Sequence, residues 1–401
     1  MTRAGIVVAL FALPLAVSAR AGEKTWYFGT HAARTNISFE SKAEIETILG
    51  TTNQVSGSAS VDGEKVKIAL SLPVASLRTG IDLRDEHLRG DKWLDAAKFP
   101  TIEFSATKDA KKKGDQYGLD GTIKIHGVEK GVSVLVEARE IPADLAAKAK
   151  LGPGEWIRVR GSFDVKLSEF GVKIPEGGGA KVSDTIRITI DLFGTTEKPK
   201  EAGQMPESKT AKDVKAGEVK LEGDGVKYRF GTKPQLTNVT AESKTDLETV
   251  IASSSVLAGV AAVDAEKGLG KVKLVIPVKS LKTGIEMRDE HLRSASWLDA
   301  EKTPDIVFES TKVTKKDDKT WTVEGTFTMH GVSKGMTVEV NARAIPAEMV
   351  QKARWGEKPA LGFRTSFKVK LSDHGVKIPD VAAGKVQDEW TVTFDAVAIQ
   401  E

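Results

Sequence analysis

A stretch of 33 residues occurs twice in this 401-residue chain, and that duplication constrains the fold more than any other feature. Ser76–Lys108 reads SLRTGIDLRDEHLRGDKWLDAAKFPTIEFSATK, and Ser280–Lys312 reads SLKTGIEMRDEHLRSASWLDAEKTPDIVFESTK, with 21 of the 33 positions identical at an offset of 204. A charged centre, Arg84-Asp85-Glu86-His87-Leu88-Arg89, lies between Thr79-Gly80 and Trp93-Leu94-Asp95, with Pro100 beyond. The same offset runs on through Gly325, His330, Phe367, Gly375 and Pro379, and upstream Thr237-Asn238 matches Thr35-Asn36 at an offset of 202. An internal copy spanning most of the chain predicts two domains.

The boundaries follow. Arg3, an apolar run from Ala4 to Val17, and small residues ending at Ala19-Arg20-Ala21 have the order of a secretory signal peptide over residues 1–21. The run is too short to span a bilayer comfortably, so a membrane anchor is the weaker reading. A first domain over 22–196 and a second over 218–401 are then joined by 197–217, a polar segment with Pro199 and Pro206 and no apolar period, which is expected to act as a linker. The formal charge of +3 falls to +1 once Arg3 and Arg20 are removed, leaving no basic field for nucleic acid. There is no cysteine, hence no disulfide framework. No later apolar run has membrane length, so the expectation is a periplasmic or secreted protein without stable membrane insertion.

Period-two alternation dominates both halves, the mark of strands with one buried face. In the first half the apolar positions include Ile68, Leu70 and Leu72, then Ile102 and Phe104, then Ile123 and Ile125, then Val134, then Val159 and Phe163, and finally Ile186 and Ile190. In the second they include Leu274 and Ile276, Ile306 and Phe308, Phe327 and Met329, Phe363 and Phe367, and Trp390 and Phe394. Thr35–Ser41 and Ile45–Val61 add strands upstream, which brings each half to about eight, and Pro142–Lys150 reads as one short helix with its proline at the start. The class is therefore all-β and antiparallel, a barrel or sandwich. About eight strands bury their apolar face by closing on themselves, and such an interior either fills with its own side chains or holds one small ligand. The inward positions of the first half are Val, Ile and Leu with few aromatics, and Arg84–Leu94 is long enough for a helical turn across one end. A lid over an apolar lumen suits a lipid.

The lid candidates are Arg84, Asp85, His87, Leu88 and Trp93 in the first repeat, with Arg288, Asp289, His291, Leu292 and Trp297 in the second. His87 and His291 carry no HExxH or Cys/His spacing, so no metal site is expected and the charges are read as holding a lid. His126-Gly127 and His330-Gly331 are read as turns. Gly177-Gly178-Gly179-Ala180-Lys181 lacks phosphate-loop spacing and is read as a loop. Ser168 and Ser372 lack a nucleophile elbow, which leaves a hydrolase as the last alternative.

Taken in order, TG-x-x-x-RD-x-HL at Thr79–Leu88, Trp93–Asp95, P-x-I-x-F at Pro100–Phe104, G-x-x-x-x-x-G-V-x-K at Gly121–Lys130 and L-S-x-F-G-V at Leu167–Val172 resemble the YceI-like family of polyisoprenoid-binding proteins, and each has a second copy, in the last of which Phe170 becomes His374. The resemblance implies two tandem lipocalin-like antiparallel β-barrels with short helical lid segments. It also implies a non-enzymatic periplasmic role and, in place of a cofactor, an isoprenoid lipid of the polyprenyl phosphate or quinone type held by the apolar positions above. The competing expectation is an envelope stress or adaptor protein with self-filled barrels and protein partners. Ile123, Val159, Ile186 and Ile190 become Phe327, Phe363, Trp390 and Phe394, while Leu192 becomes Ala396, so the first lumen is expected to be the roomier.

Overall fold

The computed structural model describes residues 23–30, 34–44, 46–175, 179, 181–199, 214–245 and 248–401. The expected signal peptide, most of the linker and most of the Gly177–Lys181 loop lie outside these. In the first half the chain runs through β1 (Lys24–Phe28), β2 (Asn36–Lys42), β3 (Thr47–Thr52), β4 (Ser56–Asp62), β5 (Lys65–Pro73), α1 (Asp82–Arg89), β6 (Thr101–Ala106) and β7 (Lys111–Lys113). It continues through β8 (Gln116–Ile125), β9 (Val128–Ile141), α2 (Ala143–Lys148), β10 (Trp156–Lys166) and β11 (Thr185–Thr195).

Pairing follows the order β1-β4-β5-β6-β8-β9-β10-β11, and β11 returns to β1, closing an eight-strand antiparallel ring. The long β11 makes closure possible because it has two partners along one edge. Its residues Ile186–Asp191 pair with β2, whereas Gly194 and Thr195 pair with Phe28 and Tyr27 of β1. β3 extends the wall beyond β2, and its outer edge is bridged from Thr51 to Arg78 just before the lid. No strand of the ring is left with an open ladder, which removes the edge that an antiparallel sheet otherwise exposes.

The second half repeats this architecture with β12 (Val226–Phe230), β13 (Thr237–Lys244), β14 (Thr249–Ser254), β15 (Ala258–Asp264), β16 (Leu269–Pro277), α3 (Glu286–Arg293) and β17 (Asp305–Lys315). It ends with β18 (Thr320–Met329), β19 (Val332–Ile345), α4 (Ala347–Lys352), β20 (Ala360–Lys370) and β21 (Glu389–Gln400), and β21 again pairs with both β13 and β12. The fold class is as expected. Three details differ: β1 and β12 have no counterpart in the strands expected from alternation, Ile45–Val61 divides into β3 and β4, and the lid helix begins at Asp82 rather than Arg84.

Turn chemistry explains the hairpins. His126 and Gly127 join β8 to β9 with φ of 52° and 76°, and His330 and Gly331 repeat this at 52° and 74°. A two-residue turn with both φ positive matches the twist of its strands, so these histidines are turn residues as expected.

The barrels meet through equivalent edges. Thr249 of β14 donates its hydroxyl to Asp191 of β11 at 2.6 Å, Arg158 of β10 donates to the Thr245 carbonyl at 2.6 Å, and Asn238 of β13 donates to the Thr47 carbonyl at 2.9 Å. Arg158 and Asp191 are buried and ion-paired to each other. A small cavity of about 40 Å³ lies between Thr51, Gly80 and Asp85 on one side and Ser253, Gly284 and Asp289 on the other. These residues correspond under the repeat, so the contact is quasi-twofold, the form a self-complementary dimer takes.

Candidate functional site

Each barrel encloses an apolar cavity. The first, of about 980 Å³, is lined by the expected Ile68, Leu70 and Leu72 of β5, Ile102 and Phe104 of β6, Ile123 and Ile125 of β8, Val134 of β9, Val159 and Phe163 of β10, and Ile186 and Ile190 of β11. The second, of about 780 Å³, is lined by Leu274 and Ile276 of β16, Ile306 and Phe308 of β17, Phe327 and Met329 of β18, Phe363 and Phe367 of β20, and Trp390 and Phe394 of β21. Alternation placed these side chains because a strand's even positions all face one way. It missed Trp26 and Phe28 of β1 and Tyr228 and Phe230 of β12, which also line the cavities. Five-residue strands are too short for a period of two to stand out.

The rings account for the difference in volume. Phe363 packs against Phe230 with centroids 5.1 Å apart, and Phe327 meets Phe367 at 6.1 Å. Where the first barrel has Ile123 and Val159, the second has closed the space with aromatic area.

The lids are built from the duplicated stretch. In the first, the buried Asp85 carboxylate accepts the Thr79 backbone N–H at 2.6 Å and the Thr79 hydroxyl at 2.7 Å, and Gly80 takes a φ of 80° so that the chain can turn between them. Asp289 receives the same pair of bonds from Thr283. This explains the spacing of TG and RD in the motif: Asp85 fastens the lid helix to the loop that leads into it and does not line the lumen. Burial pushes the Asp85 carboxyl up, against the pull of the Thr79 hydrogen bonds and of Arg89. Leu88 and Trp93 face inward and pack on the core that contains Val74, Leu77 and Leu94.

The expected ion pairs within the lid are only partly present. Arg89 lies 3.8 Å from Asp85, but Arg84 reaches out of the lid to Glu46, at 3.1 Å, and Arg288 reaches Glu248 at 2.7 Å. Glu86 is exposed. Burial pushes the Glu46 carboxyl up to about 7, although Arg84 and Lys181 pull it down. Glu248 is also raised by burial, against Arg288 and Arg34.

The two lid ends differ. Arg84, His87, Leu88 and Trp93 border the first cavity, together with Glu46, Lys181 and, from the second barrel, Gln235. Of the second lid's expected residues, Leu292 and Trp297 border the second cavity; Arg288, Asp289 and His291 do not. His87 and His291 are both exposed. Among the described residues no group of three His, Asp or Glu side chains is placed to hold a metal, and no helix is long and apolar enough to cross a membrane.

The YceI-like domain model matches residues 28–193 and again 231–398. A UPF0312 protein of Pseudomonas putida is 37% identical over 109 residues, which cover 27% of this chain and 54% of that protein. Protein YceI of Escherichia coli is 38% identical over 109 residues, covering 27% and 52%. The chain thus spans about half the length of the curated relatives it matches. Among solved structures, Burkholderia cenocepacia BcnA aligns with a TM-score of 0.37 and 21% identity, covering 41% of this chain and 98% of that one. A polyisoprenoid binding domain from Saccharophagus degradans aligns with a TM-score of 0.33 and 14% identity, covering 43% and 98%. With the family model matched twice across most of its length, this chain belongs to the YceI-like family, as a tandem of two of its domains.

Proposed function

We propose that the chain is an exported binding protein that holds or carries isoprenoid lipids in its barrel lumens and has no chemistry of its own. The observation that carries this reading is the first cavity: about 980 Å³, running along the barrel to the lid, with a wall made mostly of aliphatic and aromatic side chains. Family membership supports it. Exposed His87 and His291 sit on different barrels and face no common reacting point.

The magnitudes favour a long chain. Each buried CH₂ contributes ~0.8 kcal/mol, so one five-carbon isoprene unit yields roughly 4 kcal/mol. Association costs at least ~4 kcal/mol, so one or two units bind weakly and several bind tightly. Native mass spectrometry of the mature full-length protein, followed by solvent extraction, tests the reading. We expect a co-purifying isoprenoid of several units; a protein that is empty, and that stays empty after incubation with prenyl lipids, would sink it in favour of self-filled barrels.

A further inference from the structure

Each lid is clipped to one hairpin. In the first barrel the chain leading into α1 lies along the outer edge of β3, where the Thr51 N–H donates to the Arg78 carbonyl at 2.7 Å and the Arg78 N–H donates to the Thr51 carbonyl at 2.9 Å. Arg84 of α1 adds its ion pair to Glu46, in the turn between β2 and β3. In the second barrel Ser253 of β14 and Lys282 exchange the same two backbone bonds at 2.8 and 2.9 Å, and Arg288 pairs with Glu248 in the turn between β13 and β14. The clip is thus built twice, from residues that correspond under the repeat.

Each hairpin is in turn held by the other barrel. Thr249, next to Glu248, donates its hydroxyl to Asp191, and Arg158 donates to the Thr245 carbonyl in the same turn. Asn238 of β13 donates to the carbonyl of Thr47, next to Glu46. The hairpins are therefore the fixed parts, and the lids are the parts that can peel away. The chain before each lid also touches the opposite hairpin. A Cβ at Gly80 would stand 3.2 Å from Ser253 Oγ, and one at Gly284 would stand 3.6 Å from Thr51 Oγ1. Gly80 thus packs against the residue that clips the second lid, and Gly284 against the residue that clips the first. These contacts close into a ring around the cavity of about 40 Å³ between the barrels.

We propose that the two lids open as one unit: when the chain before α1 peels from β3, the clip of the second lid weakens, and the reverse holds equally. The physical step is a loss of support. Gly80, on leaving, uncovers β14 at Ser253, the residue that holds Lys282, and Thr51, released from Arg78, no longer backs Gly284. Each clip has two backbone bonds and one ion pair, so its local stability is low and a lost neighbour counts. A closed first lid therefore stabilises a closed second lid, and coupling between two sites is reciprocal. Leu88 and Trp93 border the first lumen and Leu292 and Trp297 the second, so access to one lumen follows access to the other. The inference goes beyond the binding reading and stands whatever the lumens hold.

The chain has no cysteine, so one engineered disulfide can lock one lid. Thr51 and Arg78 are a hydrogen-bonded antiparallel pair, with Cα atoms about 5.5 Å apart and so within a disulfide's span. The test is amide hydrogen exchange, read by mass spectrometry on the full chain carrying Thr51→Cys with Arg78→Cys, which follows the two lids as separate peptides. Oxidation should slow exchange at 78–89 and, on the order of fivefold, at 282–293 as well, and reduction should restore both. Oxidised and reduced forms of one protein are compared, so the cost of the lost side chains cancels. Ser253→Cys with Lys282→Cys should act in reverse, slowing 78–89. The turn at His330 and Gly331, in neither lid, should exchange at one rate throughout. If 282–293 exchanges equally in the locked and reduced forms, the lids are independent and the proposal is overturned. Slowing shared equally by the His330 turn overturns it too, since the disulfide has then stabilised the whole fold.

Discussion

A single carboxylate, Glu46, sets the chemistry at the lid end of the first barrel. Its side chain is almost wholly buried against Arg84, and burial raises it from an ordinary value of 4.5 to about 7. An acid whose pKa is raised on folding binds its proton more tightly in the folded chain. Its favourable contribution is therefore complete below about 4.5 and is lost as pH rises through 7. The size of the effect is bounded at about 3 kcal/mol, from ~1.4 kcal/mol for each pKa unit. Glu46→Gln stays neutral throughout, so denaturant unfolding at pH 5 and pH 8 should show the unaltered protein losing on the order of 2 to 3 kcal/mol relative to the variant. Parallel behaviour of the two proteins would mean that Arg84 and Lys181 fully compensate the burial. Nothing around Glu46 in the sequence marks it, because its burial is made by Arg84 and Lys181, which are distant in the chain. His374 is a contrasting case. The exchange of Phe170 for a histidine was legible, but not the reason it is tolerated: the ring stays buried, with Nδ1 bonded to the Val332 carbonyl at 2.9 Å and the ring packed against Phe327.

At the scale of elements, the lid is a latch with separable parts. Asp85 fixes the start of α1 to Thr79, while the Leu94 N–H bonds the Leu88 carbonyl at 3.1 Å and so folds the Trp93-Leu94 turn back beneath the helix. Trp93 and Leu88 supply the apolar underside. A fully buried Trp cut to Ala costs about 3 to 5 kcal/mol, and Trp93 is only partly buried, so Trp93→Ala should lower stability by about 2 kcal/mol. It should also speed lipid loss during repeated gel filtration, whereas His87→Ala, on the exposed side, should stay within ~0.5 kcal/mol and retain lipid. A His87→Ala protein that empties as fast as Trp93→Ala would transfer the latch from packing to charge. Most of this element was readable from the duplicated TG and RD spacing, and most strands were readable from alternation, since a sheet with one dry face writes its period into the chain. The target of Arg84 was not readable. Salt bridges within a helix follow from spacing, but one that leaves the helix follows from the fold.

The whole molecule is two copies of one barrel set edge to edge and filled unequally. Their contact includes the buried Arg158–Asp191 pair, to which Thr249 of the second barrel donates its hydroxyl. The repeat does not reproduce this pair, since Asp395 is held by Arg364, and Gly362 stands where Arg158 would. No sequence pattern indicated that the barrels touch, because the apolar residues that periodicity detects face the lumens and the contact is polar. Their unequal volumes were legible, because interiors pack to a near-constant density and added rings must displace space. Capacity should therefore be exchangeable. Val159 and Phe363 are equivalent positions on β10 and β20, and both line their cavities. Val159→Phe should shorten the longest isoprenoid retained by the first lumen. Phe363→Val should lengthen that of the second and, because Phe230 then has no ring at position 363 to pack against, should lower stability by about 1 to 3 kcal/mol. Competition between prenyl alcohols of graded length, read by native mass spectrometry on the full chain, measures both. If the pair of substitutions reverses which chain lengths occupy the two sites, lumen volume sets selectivity; if occupancy is unmoved by either, selection lies at the lid and not along the wall.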